Sequence, residues 1–532
     1  MARTPLLQSI RQLARDAWTS RRTGIPAAEL REMRGAITRR KLLTGAAVGA
    51  AALALPRRSR AGGPQPSIAI VGGGIAGLTC ALTLRDRGYA STVYEASGRI
   101  GGRMFTNTSS YFGGQVTEWC GELIDTGHHT VRNLAARFSL PLDNLLGAQP
   151  NGSDEIYRFG GQYYPKAQAD EDFLDMADIL DADLAGAGYP TTFDRSTPVG
   201  RELDLMSIHD WIETRVPGGH ASPLGRLLDV AYAIEFGADS HVQAALNLIY
   251  MLGYQANASG LSIFGTSDEK FHIRGGNQRL PEAIAATLGD GVVKTGHRLV
   301  RLKQTANGRY QLTFERAGST IEAVADHVVL ALPFAVLRTL DCTGAGFSAR
   351  KRRAIDQLGR GHNGKLQLQF AQRGWLGTGP WPGKSNGSSY SDTGYQASWE
   401  VTRAQAGTAG IVVLYSGGSV TDAMKTQSPF ATANDARVMQ DAQRGLVQLA
   451  PVYPGLPWNG RATQALAHRS PFFEASYSFY RVGQYTDFGG YEGRREGGVL
   501  FCGEHTTQDF QGFMEGGAIT GRQAARELIS LI

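Results

Sequence analysis

The first chemistry legible in this chain lies between Ser67 and Thr106, where glycines, the Glu95 carboxylate and the Arg99 and Arg103 guanidiniums are closely spaced. Gly72, Gly74 and Gly77 occupy the first, third and sixth places of G-x-G-x-x-G. The first permits a tight turn, the second lets a pyrophosphate approach the backbone, and the third lets a helix pack on a strand. Glu95 ends the next strand-like run, where a carboxylate can accept hydrogen bonds from a ribose diol. Arg99 and Arg103 flank Gly101-Gly102, where guanidiniums can pair with phosphate oxygens. Further along, Lys365 opens an alternating run, a place where a lysine is normally a solvated strand-edge residue. Tyr477 and Phe513 fit a core as readily as a binding wall. Asp125 precedes a helical pattern, Thr126–Phe138, that it could cap.

These residues need particular elements to position them. Ser67–Val71 is a short apolar run rich in β-branched residues, as a buried parallel strand requires. Leu78, Leu82 and Leu84 give the following helix an apolar face, Gly88 is placed to stop it, and Ser91–Tyr94 is the second strand. The βαβ unit and Glu95 in register read as a nucleotide site rather than as a fold element without ligand. Val131 to Gly265 is helically patterned, notably Phe173–Leu184 and Asp239–Tyr254. Val292-Val293, Arg298–Leu302 and Tyr310–Phe314 alternate as strands, and Asp326–Leu332 reads as a buried strand closed by Pro333. Gly374–Tyr395, rich in Gly, Ser and Trp, predicts a long loop; Ile411–Tyr415 predicts a strand and Val438–Leu449 a helix. A chain of 532 residues is too long for one ordinary core, which suggests two domains.

The run Glu95-Ala96-Ser97-Gly98-Arg99-Ile100-Gly101-Gly102-Arg103 resembles the E-A-x-x-R-x-G-G-R segment of the flavin-dependent amine oxidases, which include monoamine, polyamine and L-amino-acid oxidases. Gly497–His505 and Gly512–Ala518 resemble a second block of that family, and the likeness runs from about Ser67 to the C-terminus. The resemblance implies a two-domain α/β fold: a discontinuous Rossmann-like FAD domain (62–155, 266–340, 470–532) and a mixed-sheet and helical substrate domain (156–265, 341–469). It implies an FAD site of Gly72, Gly74, Gly77, Glu95, Gly102, Arg103, Gly121, Glu122, Leu299, Glu504 and Met514. It implies that Lys365 holds a water against flavin N5, and that Tyr477 and Phe513 form an aromatic cage guiding an uncharged amine. The helix beginning near Met514 would point its positive end at the flavin. Monoamine oxidases carry a flavin-bonded Cys just before the first cage Tyr; Ser476 stands there, so the FAD is expected to be non-covalent. Asp125 falls where polyamine oxidases carry a carboxylate near the flavin. An unpaired carboxylate in an aromatic pocket is costly to bury, which favours a basic substrate.

The N-terminal region reads as a leader over residues 1–61. Thr38-Arg39-Arg40-Lys41-Leu42-Leu43 precedes an apolar run, Ala46 to Leu55, with Ala52-Leu53-Ala54 as a cleavage site, the pattern of a Tat export signal. Export by the Tat translocase to the periplasm or beyond the cell is expected. The leader also explains the charge. Of 54 Lys and Arg and 48 Asp and Glu, 13 and 3 fall in residues 1–61, leaving 41 against 45 and a net charge of −4. The overall +6 therefore does not argue for nucleic acid, which is not expected as a partner. Cys80, Cys120, Cys342 and Cys502 are too dispersed for a disulfide framework or a Cys-based zinc site. His128-His129 lacks a partner at metal spacing and reads as a surface pair, so no metal is expected.

The expected reaction is hydride transfer from a primary amine or L-amino acid to FAD, with O2 as acceptor and H2O2, ammonia and a carbonyl compound as products. An L-amino-acid oxidase proper stays open, although Cys120-Gly121-Glu122-Leu123 replaces the carboxylate-binding turn of venom-type enzymes. An FAD-dependent desaturase and a non-catalytic FAD-fold binding protein are the further alternatives. A homodimer is left open.

Overall fold

The computed structural model describes residues 65–256 and 260–532. The proposed Tat leader lies outside them. Ile68–Val71, fully buried, sits at the centre of a five-stranded sheet. It pairs in parallel with His327–Leu330 on one side and Thr92–Tyr94 on the other; Val499–Phe501 and Val293–Lys294 extend the edges, also in parallel. Strands from four distant stretches thus meet in one Rossmann-like layer. A three-stranded antiparallel sheet, Arg298–Gln304, Tyr310–Arg316 and Ser319–Ala325, adjoins it in sequence; its third strand is polar enough that patterning missed it.

Two helices cover the parallel sheet. Ile75–Arg85 follows the glycine turn, and Met514–Leu531 ends the chain against it. Glycines allow this close crossing: a Cβ on Gly521 would meet the Ala76 carbonyl oxygen at 2.1 Å, and one on Gly517 would meet Ile75 Cγ2 at 2.9 Å. The first core lies here, with Ile70, Leu78, Leu82, Val93, Val329, Leu500 and Leu528 buried together.

The second layer is a nine-stranded mixed sheet built around Asn363–Phe370, which pairs antiparallel with Gly410–Gly417 and Trp458–Leu466. All eight residues of Asn363–Phe370 are buried, so Lys365 stands inside the protein and not on a solvated edge. Gly374–Tyr395, expected as a loop, contains the strand Ser385–Ser391, also buried throughout. Its serines replace apolar packing with hydroxyl pairing: Ser389 bonds Tyr395 at 2.7 Å and Ser398 at 2.6 Å, and Ser385 bonds Tyr453 at 2.9 Å. The helices Lys166–Ala187, Ile208–Arg215, Pro223–Phe236 and Ala245–Leu252 pack on one another as the sequence patterning anticipates. Asp154–Phe159 within that region joins the large sheet instead.

Candidate active site

A cavity of about 300 Å³ runs from the glycine turn of the parallel sheet to the inner face of the large sheet. Its near end is glycine-lined, and the three motif glycines separate by what a side chain would meet. A Cβ on Gly77 would strike the Gly72 carbonyl oxygen at 2.0 Å, and one on Gly72, whose φ is +110°, would strike Ala331 O at 2.4 Å. Those two are required by the protein's own packing. At Gly74 the nearest atom is Gly102 Cα at 3.9 Å, so the missing side chain there leaves space that no protein atom uses. That is the property a phosphate-approach position needs. The residues present fit a dinucleotide.

Glu95 is buried beneath this turn. Its carboxylate accepts from Gly73 N at 2.7 Å, Ser97 N at 2.8 Å and Ser97 Oγ at 2.7 Å, fixing the turn while lining the cavity. Arg103 crosses to the C-terminal block, donating to Glu504 Oε1 at 3.0 Å and to Ser476 O at 2.6 Å. Glu504 also accepts from Ser478 Oγ at 2.8 Å and Gly512 N at 3.0 Å. Burial pushes its carboxyl up, but Arg103, His505 and these hydrogen bonds outweigh burial and hold it below the usual range. Gly102, Gly121, Leu299 and Met514 line the same cavity.

Lys365 and Glu122, which sequence reasoning treated separately, form one unit. Lys365 Nζ donates to Glu122 Oε2 at 2.7 Å and to Cys120 O at 2.8 Å. The other Glu122 oxygen accepts from Trp399 Nε1 at 2.9 Å. Both charged groups are almost fully buried, and both line the cavity. Tyr477 and Phe513 line it as well; the Tyr477 hydroxyl is bonded to that of Tyr415. Phe513 is the N-cap residue of the C-terminal helix, whose first turn contributes Met514 and Gly517 to the wall. Ser476 is held by its neighbours, its hydroxyl donating to Gly361 O at 2.8 Å and accepting from Asn363 N at 2.7 Å.

Asp125 does not belong to this site. It is 1% exposed, outside the cavity wall, and its carboxylate accepts from Ser267 Oγ at 2.8 Å and Glu269 N at 2.9 Å. Neither does it cap the next helix. That helix is His129–Arg137, and its first amides, Thr130 N and Val131 N, are each bonded at 2.8 Å by Glu515 from the C-terminal helix. His128, expected at the surface, is completely buried, 3.4 Å from the Asp125 carboxylate and edge-on to Phe513. Burial pushes its imidazole down.

Two acidic residues that the sequence reading missed face the cavity instead. Glu235, from the helix Pro223–Phe236, and Glu269, from the loop that Asp125 anchors, both line it. Neither carboxylate has a hydrogen-bond or ion-pair partner among the described residues. Glu235 is half-buried and Glu269 reaches into the open cavity; loss of water beside the aromatic wall raises Glu235 to about 7, and the same effect together with Asp125 and Glu235 raises Glu269 above the usual range. The signal for Glu235 was an acidic residue inside the otherwise apolar helical run Val230–Phe236; Glu269 gave none. Around them stand Ile234, Phe264, Tyr390, Trp399 and Tyr415. The cavity therefore has a glycine-rich, phosphate-compatible end and an aromatic, acidic end, with Lys365–Glu122 among its buried walls.

A family model described as flavin containing amine oxidoreductase matches residues 75–529. Polyamine oxidase 2 of Arabidopsis thaliana is 24% identical over 497 residues, 87% of this chain and 88% of that one. An L-amino-acid oxidase of Pseudechis australis is 21% identical over 482 residues, covering 87% of this chain and 86% of the relative. Among solved structures, cyclohexylamine oxidase from Brevibacterium oxydans IH-35A superposes with a TM-score of 0.72 at 19% identity, over 88% of this chain and 99% of that one. That likeness confirms the fold read from the two ends of the sequence.

Proposed function

This chain belongs to the flavin-containing amine oxidoreductases, and from that premise we propose that it oxidises the C–N bond of an amine carrying a second positive charge. It is an FAD-dependent oxidoreductase. FAD held by these residues would supply the redox chemistry, acceptance of a hydride from the amine α-carbon with O2 as final acceptor, for an overall conversion of amine, O2 and water to carbonyl compound, ammonia and H2O2. The chain's own residues bind, orient and exclude water. Gly74 would leave room for the pyrophosphate, with Gly102 packed close against it at φ +56°, Glu95 fixes the turn that would face the ribose, and the Arg103–Glu504 pair holds the C-terminal block in place. Lys365 spends two of its three N–H bonds on Glu122 and Cys120, leaving one for a water in the cavity. Tyr477 and Phe513 wall the substrate space, where aromatic faces attract developing positive charge. Ser476 cannot form the thioether of a Cys, so FAD is held non-covalently.

The observation that carries the substrate class is the pair of carboxylates, Glu235 and Glu269, at the aromatic end, neither with a partner among the described residues. Glu235 is half-buried and Glu269 opens into the cavity, and a carboxylate held against this aromatic wall with no partner among the described residues gains one in a substrate ammonium. An α-carboxylate would meet the opposite situation, since Arg103 and Lys365 are already paired with Glu504 and Glu122. This distinguishes the reading from an L-amino-acid oxidase. Purified protein should be yellow and should bleach anaerobically with diamines; bleaching only by amino acids lacking a basic side chain would overturn it. Export by the Tat translocase, argued from Arg39-Arg40 and the apolar run after them, completes the proposal.

A further inference from the structure

Outside the cavity wall, two histidines and two acids converge in the helical region. His209 lies on the helix Ile208–Arg215, His220 on the short turn Gly219–Ala221, and Asp229 on the helix Pro223–Phe236. A ligand atom from each lies within 4.8 Å of the others. We propose that His209, His220 and Asp229 form a binding site for one divalent ion of the zinc class.

The argument rests on how His220 is held. Its Nδ1 is 2.9 Å from Glu213 Oε2, and its backbone N–H donates to the same oxygen at 3.1 Å. Gly219 makes this approach feasible: at φ +51° it carries no Cβ, and one there would lie 2.6 Å from Glu213 Oε2. Glu213 beside Nδ1 favours the tautomer with its hydrogen there, and Nε2 then faces Asp229 Oδ1 at 3.6 Å. Nε2 is buried with no hydrogen-bond partner among the described residues. Two acceptors facing each other need either a proton or a metal ion between them, and the third ligand atom close by favours the metal ion. A tetrahedral ion with bonds of about 2.0–2.2 Å sets its ligand atoms about 3.3–3.6 Å apart; His220 Nε2 and Asp229 Oδ1 are 3.6 Å apart, and all three ligand atoms lie within 4.8 Å of one another. His209 stacks on His220, ring centres 4.2 Å apart, and brings the third ligand. A carboxylate orienting a metal-bound imidazole through its other nitrogen is the usual outer support of such a site. Two imidazoles and one carboxylate suit zinc over magnesium or calcium.

A second cluster, His362, Asp422 and His468, contrasts with it. There His362 Nδ1 lies 2.7 Å from Asp422 Oδ1, an ordinary hydrogen bond with no space for an ion. The sequence hid the first site because its ligands come from three elements at no recognised spacing. An ion there would join the two helices and the turn between them, stiffening the helix that ends near Glu235.

The test is calorimetric titration of chelator-treated, FAD-loaded full-length protein with ZnCl2. One zinc per chain should bind, and His209→Ala or His220→Ala should weaken it at least 100-fold. Glu213→Gln, which leaves all three ligands, should weaken it about 10- to 100-fold. Flavin absorbance and circular dichroism check that each variant is folded, and His362→Ala should bind zinc as the parent does. Absence of zinc binding in the parent overturns the proposal. So does equal affinity in the His209→Ala/His220→Ala double variant.

Discussion

Lys365 and Glu122 allow structural and reactive roles to be separated by one set of variants. Their side chains are 9% and 8% exposed, and the pair is 2.7 Å apart. Lys365→Met leaves Glu122 charged and buried with only Trp399 Nε1 as donor, and breaking one half of a buried pair costs about 3–5 kcal/mol. Glu122→Gln leaves the ammonium with Cys120 O alone and should cost a similar amount. In the double variant no charge is stranded and the Gln can still accept from Trp399, so the loss should fall short of the sum by about 1–3 kcal/mol. Denaturant unfolding followed by tryptophan fluorescence measures each value. A coupling below about 0.5 kcal/mol would refute the reasoning that the two charges stabilise each other. Stopped-flow spectroscopy then separates reactivity. With Lys365→Met, reoxidation of the reduced flavin by O2 should slow more than its anaerobic reduction by substrate. Equal, small effects on both steps would leave Lys365 with a structural role only.

Other outcomes follow from the same geometry. Gly74→Ala should fold but bind FAD poorly, whereas Gly77→Ala, with a Cβ 2.0 Å from Gly72 O, should fail to accumulate as soluble protein; the reverse pattern would displace the pyrophosphate from Gly74. Glu95→Ala removes three hydrogen bonds from the turn and should weaken FAD binding at least 10-fold by flavin fluorescence titration, at about 1.5–3 kcal/mol for a charged hydrogen bond. Acid precipitation should release yellow FAD into the supernatant; colour retained in the pellet would show a covalent bond. Glu235 has a folded pKa of about 7 against an ordinary 4.5. Its contribution to stability is full below about 4.5 and is lost as pH rises through 7, so Glu235→Gln should flatten the stability profile between those values in apoprotein unfolding.

What was legible in the sequence was local. The glycine turn, its flanking strands, Glu95 and the C-terminal block each fit within a few residues, and their family likeness extended the reading to the whole fold. What was not legible depends on long-range assembly. Lys365 meets Glu122 across 243 positions, and Glu515 caps a helix 385 positions away, which is why Asp125 looked like its cap. The strand Ser385–Ser391 hid because its burial rests on hydroxyl pairing instead of apolar alternation. Glu235 and Glu269 converge from separate elements, so no local pattern could pair them.

The central claim is that the acidic end of the cavity selects a second positive charge. The direct measurement is anaerobic flavin reduction by 1,4-diaminobutane and by butylamine, at matched pH above 7, in the parent and in Glu269→Gln. One charge-assisted contact of about 1.5–3 kcal/mol predicts a preference for the diamine of about 10- to 150-fold in the parent, sharply reduced in the variant. Equal rates for the two amines in the parent, or an unchanged preference in Glu269→Gln, would contradict the account.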